Sequence, residues 1–594
     1  MKGLARKASS IGLAVGLGAA ATLGAQAQGR GKARGTIQDA EIEVVKDRVN
    51  TLPEATRNFE KIKLAPPPKA TRQLTYSYPD FRLPAGRLNP VSQVLTVAPE
   101  TLEPLTGNYA KLGVGNYGTV YGRAHLHSTR NEQYSYGLDL RHQSSASGPV
   151  DGKNSAVAQT SVAATGEYYL GQAALGASLD YARERYHFYG YDPAVQTTPP
   201  DPSNIQQTFN RFGVRGYVRN HAPEAKFTYE LGVGYKYWKN DFGSSENNFL
   251  LDGKAGYALG ESSRITVQAN GSFITEKEDD ETSKLFPVYF ANPRHRNFVQ
   301  VTPAYEFNAK EGLTLQLGAT LGYSNEPLGN GKNPDDAGKG AVYPAIRVGY
   351  NIVPEKFQLY AGLGGAIQRV TLYDLTQENP WLAGYSSQRV ADTRYGPNAY
   401  IGFTAAPASG LSLAARASYG RARNLYFYNL GGNSLGGFSG YGLVYDSTNV
   451  GVLSVHADLL YSRAEKWRAG LKADYNHYGL DKLAHPYGRP ALVSTLYGTY
   501  NASSKLLLGA DFSYYSPNWG TNYVARDAGS VFPRVPQDQQ TTAVVDLSLR
   551  AEYRITPKFS IFALGNNLAN RRYQRFLNYP VKGINVIGGV GYTF

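Results

Sequence analysis

From about Asn108 to Phe594 the chain runs in short segments in which apolar and polar residues alternate. The last is the clearest. Ile584, Val586, Gly588, Val590, Tyr592 and Phe594 fall on one face, and the other face is small or polar, with Ile587 the exception. Side chains of a strand point alternately to opposite faces, so this pattern gives one greasy and one polar surface. Val545 to Arg554 alternates without error. So do Trp467, Ala469, Leu471, Ala473 and Tyr475 against Arg468, Gly470, Lys472, Asp474 and Asn476.

Repeated along the chain, the pattern predicts about 22 strands, from 108–115 through 134–145, 540–555 and 559–573 to 583–594, an even number as a single-chain outer-membrane barrel requires. The predicted connections alternate too. Those from even to odd strands are mostly tight, as at Gly171-Gln172, Glu465-Lys466 and Thr556-Pro557-Lys558. Those from odd to even strands are mostly long: 146–160, 190–205, 278–296, 326–340, 371–394, 425–452, 480–488 and 517–539. Short turns on one rim and long loops on the other describe an outer-membrane barrel with its short side, and both termini, in the periplasm. Tyr235, Tyr237, Trp238, Trp467 and Tyr475 are candidates for aromatic girdles at the lipid interfaces. The expected fold is therefore all-β: a transmembrane antiparallel up-and-down barrel over 107–594.

Composition changes the picture in three ways. Over 594 residues the mean hydropathy is −0.39, and no uninterrupted apolar stretch of about 20 residues follows the leader, which excludes a helical membrane protein. Cys is 0, which removes disulfides, thiolate metal sites and cysteine nucleophiles. The net charge of +14 is scattered without a basic block, so a cation-bearing lumen explains it better than nucleic-acid binding.

The N-terminal part reads differently. Lys2, Arg6 and Lys7 precede a small-residue apolar stretch from Ile11 to Leu23 and an Ala25-Gln26-Ala27 site, so 1–27 reads as a signal peptide. Residues 28–106 are Pro-broken, with Pro66, Pro67 and Pro68 the densest run, and form a periplasmic or lumenal segment: a plug remnant or a docking strap.

The last hairpin resembles that of TonB-dependent outer-membrane receptors. It carries Gly565-Asn566-Asn567-Leu568-Ala569-Asn570-Arg571-Arg572-Tyr573-Gln574 and ends Val590-Gly591-Tyr592-Thr593-Phe594. A barrel of about 22 strands also has the size of those transporters, which keep a plugged lumen. The resemblance implies that Tyr592 and Phe594 form the signal read by the barrel-assembly machinery. It also implies a globular plug; residues 28–106 are too few for one, and the part that follows the Gly/Arg/Lys-rich stretch 28–35 lacks its Arg-Gly and Asp-Gly signatures, so the plug is missing or reduced. Glu41, Ile42, Glu43, Val44 and Val45 are faintly similar to a TonB box, the strand that pairs with the energising protein by β-addition, but read first as a linker strand.

Candidate chemistry is sparse. No nucleophile elbow or Ser/His/Asp constellation stands out, so an enzyme is not expected, and no cofactor is implied. His125 and His127 share a strand face but lack a third metal ligand. Glu276 to Glu281 and Asn333 to Asp336 read as solvated loop charge before calcium sites. Gly329-Asn330-Gly331-Lys332 lacks the Ser/Thr and helix of a phosphate loop. Three readings stay open: uptake of a bulky solute, with outer-membrane lipid, TonB or a plugging lipoprotein as partners; a passive anion-preferring porin; or a structural barrel subunit of an outer-membrane complex.

Overall fold

The computed structural model describes residues 107–594 apart from 129–130, 192–197, 221–224, 279–292, 310–311, 327–339, 383–389, 431–439, 447–448 and 526–533. Residues 1–27, expected to be a signal peptide, the segment 28–106 and the TonB-box-like residues 41–45 lie outside the described residues, as do 329–332 and 333–336.

The strands follow in order. They are β1 (Tyr109–Gly115), β2 (Thr119–His127), β3 (Tyr134–Ser145), β4 (Val157–Leu170), β5 (Ala173–His187), β6 (Gln206–Asn220) and β7 (Phe227–Lys239). Next come β8 (Ser244–Ala258), β9 (Ser263–Glu278), β10 (Arg294–Asn308), β11 (Leu313–Ser324), β12 (Ala341–Val353), β13 (Phe357–Gln368), β14 (Thr393–Ala408) and β15 (Leu411–Arg423). A hairpin β16 (Tyr426–Leu430) and β17 (Tyr441–Tyr445) precedes β18 (Val450–Arg463), β19 (Trp467–Gly479), β20 (Leu492–Asn501) and β21 (Leu506–Tyr515). A second hairpin, β22 (Trp519–Ala525) and β23 (Arg534–Gln540), precedes β24 (Val544–Arg554) and β25 (Phe559–Asn566). The short pair β26 (Gln574–Phe576) and β27 (Tyr579–Pro580) leads to β28 (Asn585–Thr593). One helix, α1 (Leu372–Glu378), lies between β13 and β14.

Twenty-two of these strands form a single antiparallel sheet. It closes where β28 pairs with β1, Val590 opposite Leu112 and Thr593 opposite Tyr109. Closure leaves no sheet edge in the ring of 22 strands, which is what lipid demands of a spanning structure. The three hairpins lie outside this ring, within connections that the sequence pattern assigns to loops.

The two faces are those of a membrane barrel. On β7, Leu231 and Val233 are exposed outward, 55% and 53%, while Glu230 faces in and binds Arg215. Ile587, which breaks the alternation of the last strand, is 1% exposed and packs inward with Phe562 and Leu564. Val586 and Val590 on either side face lipid. The turns of the other rim are tight. At Gly410 (φ +75), between β14 and β15, a Cβ would meet the Ser462 carbonyl oxygen at 1.9 Å, so only glycine fits.

Two expectations are corrected. Trp238 is not part of a lipid girdle: it falls on the opposite face from Tyr235 and Tyr237, is fully buried, and stacks on Phe209. The segment 559–573 does not continue as strand to its end. β25 stops at Asn566, and Asn567 and Asn570 take left-handed backbone (φ 48 and 51), which asparagine tolerates better than other side-chain-bearing residues.

Candidate functional site

The long connections fold over one mouth of the barrel and pack against each other. Their shared core holds Phe188, Tyr191 and Ile205 from the β5–β6 connection, Leu372, Leu375, Trp381 and Leu382 from β13–β14, Tyr428 and Tyr441 from the first hairpin, and Phe576, Leu577 and Tyr579 from the last connection. Trp381 stacks on Tyr579 with centroids 4.1 Å apart, and its indole N–H donates to the His187 carbonyl at 3.0 Å. The Tyr441 hydroxyl donates to the Leu577 carbonyl at 2.8 Å. Connections separated by hundreds of residues thus form one packed cap, because each brings bulky aromatic residues that water would otherwise surround.

Helix α1 ties the cap to the wall. Thr371 caps it by accepting from the Asp374 amide. Its free first amides, Leu372 and Tyr373, donate to the Glu246 carboxylate of β8, at 2.8 and 3.4 Å. Arg211 of β6 binds both Glu184 and the Thr376 hydroxyl, the latter at 2.8 Å. At the far end of α1, Glu378 accepts from the Tyr426 and Tyr428 hydroxyls at 2.9 and 3.0 Å. Burial, then the Glu378 charge, pushes both phenols well above their ordinary range, so they stay donors.

A buried ionic clamp holds the two ends of the β13–β14 connection. The Arg296 guanidinium donates to Glu276 at 2.8 Å, Glu326 at 3.1 Å, Asp392 at 2.8 Å and the Val370 carbonyl at 2.8 Å. Arg294 adds bonds to Glu276, Glu326 and the Val390 carbonyl. Ser324 donates to the other Asp392 oxygen at 2.6 Å. Burial raises the Glu326 pKa against the opposing pull of Arg296 and Arg294. Glu276 is therefore not solvated loop charge: it lies in β9 and serves this clamp.

Below the cap the lumen wall is charged but mostly neutralised. Lys111 pairs with Glu552 at 2.7 Å, Arg550 with Asp511 at 2.7 Å, Arg219 with Glu167 at 2.7 Å, and Arg215 with Glu230 and Asp252. His125 and His127 do share the lumenal face, with ring centroids 5.5 Å apart, and His125 lies 3.5 Å from Asp139. No group of three metal-binding side chains occurs among the described residues. Arg347 and Arg416 lie over the Tyr360 and Tyr400 rings at 4.8 and 4.5 Å, as Arg215 does over Tyr217 at 4.7 Å, but unlike Arg215 they have no carboxylate partner among the described residues. One hollow of about 850 Å³ belongs instead to the lipid side, among Leu231, Val233, Leu251, Phe273 and Val299.

Tyr592 and Phe594 sit at the closing seam, both exposed toward lipid with rings 5.8 Å apart. The cap and clamp residues escaped the sequence reading. The signal available was that the long connections exceed what joining strands requires and are rich in tyrosine.

The architecture is a closed barrel of 22 antiparallel strands with an apolar exterior. No protein-family model and no curated protein sequence matches the chain. Solved structures do match in fold. The siderophore receptor PirA from Acinetobacter baumannii superposes with a TM-score of 0.60 at 10% identity, over 83% of this chain and 81% of that one. The FrpB iron transporter from Neisseria meningitidis gives 0.58 at 12% identity, over 83% and 82%. The copper transporter OprC gives 0.55 at 14% identity, over 82% and 80%.

Proposed function

We propose that this chain is an outer-membrane barrel that takes up a bulky solute through a gated lumen. The observation that carries the reading is the packed cap: an aromatic core and an ionic clamp gather the long connections over one mouth of a barrel of 22 strands. A passive porin needs no buried core across its mouth. The fold neighbours, a siderophore receptor, an iron transporter and a copper transporter, support uptake. In this reading the long-loop rim faces outward, the termini lie in the periplasm, and residues 41–45 offer a strand to TonB. Tyr592 and Phe594 are recognised during barrel assembly.

The test is energy dependence. Cells carrying the barrel are offered labelled siderophores, oligosaccharides and peptides, with and without a protonophore. Accumulation of one class that stops when the proton-motive force collapses supports the reading. Accumulation indifferent to the protonophore would make the barrel a passive channel. No accumulation, with a stable partner on purification, would make it a structural subunit.

A further inference from the structure

We propose that the lumen wall formed by β12 to β15 carries a binding site for a carboxylate or phosphate group of the solute, built by Arg347, Tyr360, Tyr400 and Arg416. The proposal rests on the uptake reading and adds to it the chemical class of the cargo.

The sheet register brings the four side chains together. Arg347 lies opposite Gly362, which lies opposite Tyr400. Tyr360 lies opposite Gly402, which lies opposite Arg416. Directly opposed residues of neighbouring strands face the same side, so all four face the lumen in two adjacent rows. The glycine makes the packing possible. A Cβ on Gly402 would meet the Tyr360 ring at 2.7 Å, so the phenol lies flat across that strand. Each guanidinium then rests on a ring, Arg347 on Tyr360 and Arg416 on Tyr400. A stacked guanidinium keeps its N–H edges free in the ring plane, the geometry that grips carboxylate or phosphate in bidentate fashion.

What is missing points to an anion. Several other cations of the wall are held by carboxylates, as Arg550 is by Asp511 and Arg215 by Glu230 and Asp252. Arg347 and Arg416 have no ion pair among the described residues, although each lies within the other's field. The strand beside Arg416 offers His456 opposite it, and that ring holds the Asp474 carboxylate at 2.6 Å. The Nε of Arg347, the Nε of Arg416 and the hydroxyl of Tyr400 are buried with no hydrogen-bond partner, and Tyr400 is 1% exposed. Two unpaired guanidinium groups beside an unused phenol are a stable arrangement when an anion lies between them. Residues 28–106 are a poor source of that anion, since they carry more Lys and Arg than Asp and Glu.

The test is calorimetric titration of the full mature chain in detergent with citrate and with inorganic pyrophosphate. At least one is expected to bind. R347Q and R416Q should each weaken it by about tenfold or more, the scale of a hydrogen bond to a charged group, and Y400F by a smaller factor. R347K/R416K, which keeps the charges but loses the bidentate edges, should bind more tightly than R347Q/R416Q and more weakly than the unaltered chain, and R550Q, which breaks the Asp511 pair, should leave binding unchanged. Heat-dependent migration on gels confirms that each variant is a folded barrel. Failure of both anions to bind, or equal binding in R347Q and R416Q, overturns the site. Binding only after removal of residues 28–106 overturns it as a solute site, since that segment would then occupy it. The two readings fail separately. Arginine-dependent binding without uptake in energised cells refutes the transport reading alone. Uptake undiminished in R347Q/R416Q refutes this site alone.

Discussion

Arg296 of β10 donates to Asp392 at 2.8 Å, and both side chains are almost completely buried, 1% and 2% exposed. This pair joins the barrel wall to the end of the connection that carries α1. Removing one partner of a buried ion pair leaves the other charge uncompensated, at a cost of about 3–5 kcal/mol. R296Q is therefore expected to release the α1 connection while the barrel stays folded. Limited proteolysis checks it: new cleavage between 369 and 392, with the barrel still resistant to urea, is the expected result. Unchanged cleavage means the clamp is not what holds the cap.

The cap also depends on its aromatic core. Trp381 touches Tyr579, Tyr189 and Phe576. Replacing it with alanine should cost about 3–5 kcal/mol, charged to the cap and not to the barrel. Hydrogen exchange should show faster amides in α1 and β26–β27, with no change in β1 or β28. Protection lost evenly over the barrel would show that the cap is not a separate unit.

The outward face gives a test of membrane placement. Val233 is mid-strand on β7 and faces lipid. V233R should destabilise the barrel in vesicles by about 2–4 kcal/mol, as expected for arginine near the bilayer midplane. Equilibrium unfolding in urea reads this directly. A neutral effect would mean that this face does not meet lipid.

Much of this was legible in the alternation of apolar and polar residues. The strand count, the closed barrel and the alternation of short and long connections follow from periodicity, because a lipid-facing strand has to alternate. The cap was not legible. Trp381, Tyr441 and Tyr579 obey no period, and their partners lie far away in the chain. Arg296 and Arg347 look alike in sequence. Only the register shows that one sits among three carboxylates and the other among phenols.

Lys582, in the connection before β28, supplies a pH test. Burial lowers its pKa from 10.5 to about 8. Between those values the unfolded chain binds a proton that the folded cap does not. Its contribution to stability is therefore greatest above 10.5, falls as the pH drops through that window, and is constant below about 8. Competitive amine labelling, read by mass spectrometry, should show Lys582 reacting with a midpoint near 8. A midpoint near 10.5 would show that its ammonium is fully solvated.

The central claim is that the connections close the lumen. Single-channel conductance in a planar bilayer tests it most directly, comparing the mature chain with a form whose residues 369–392 are replaced by a short glycine-serine link, and with a form lacking residues 28–106. The account predicts a closed full-length barrel and large, stable openings once 369–392 is removed, whether or not residues 28–106 are present. A full-length barrel that already conducts freely, or a capless one that stays shut until residues 28–106 are removed, would contradict it.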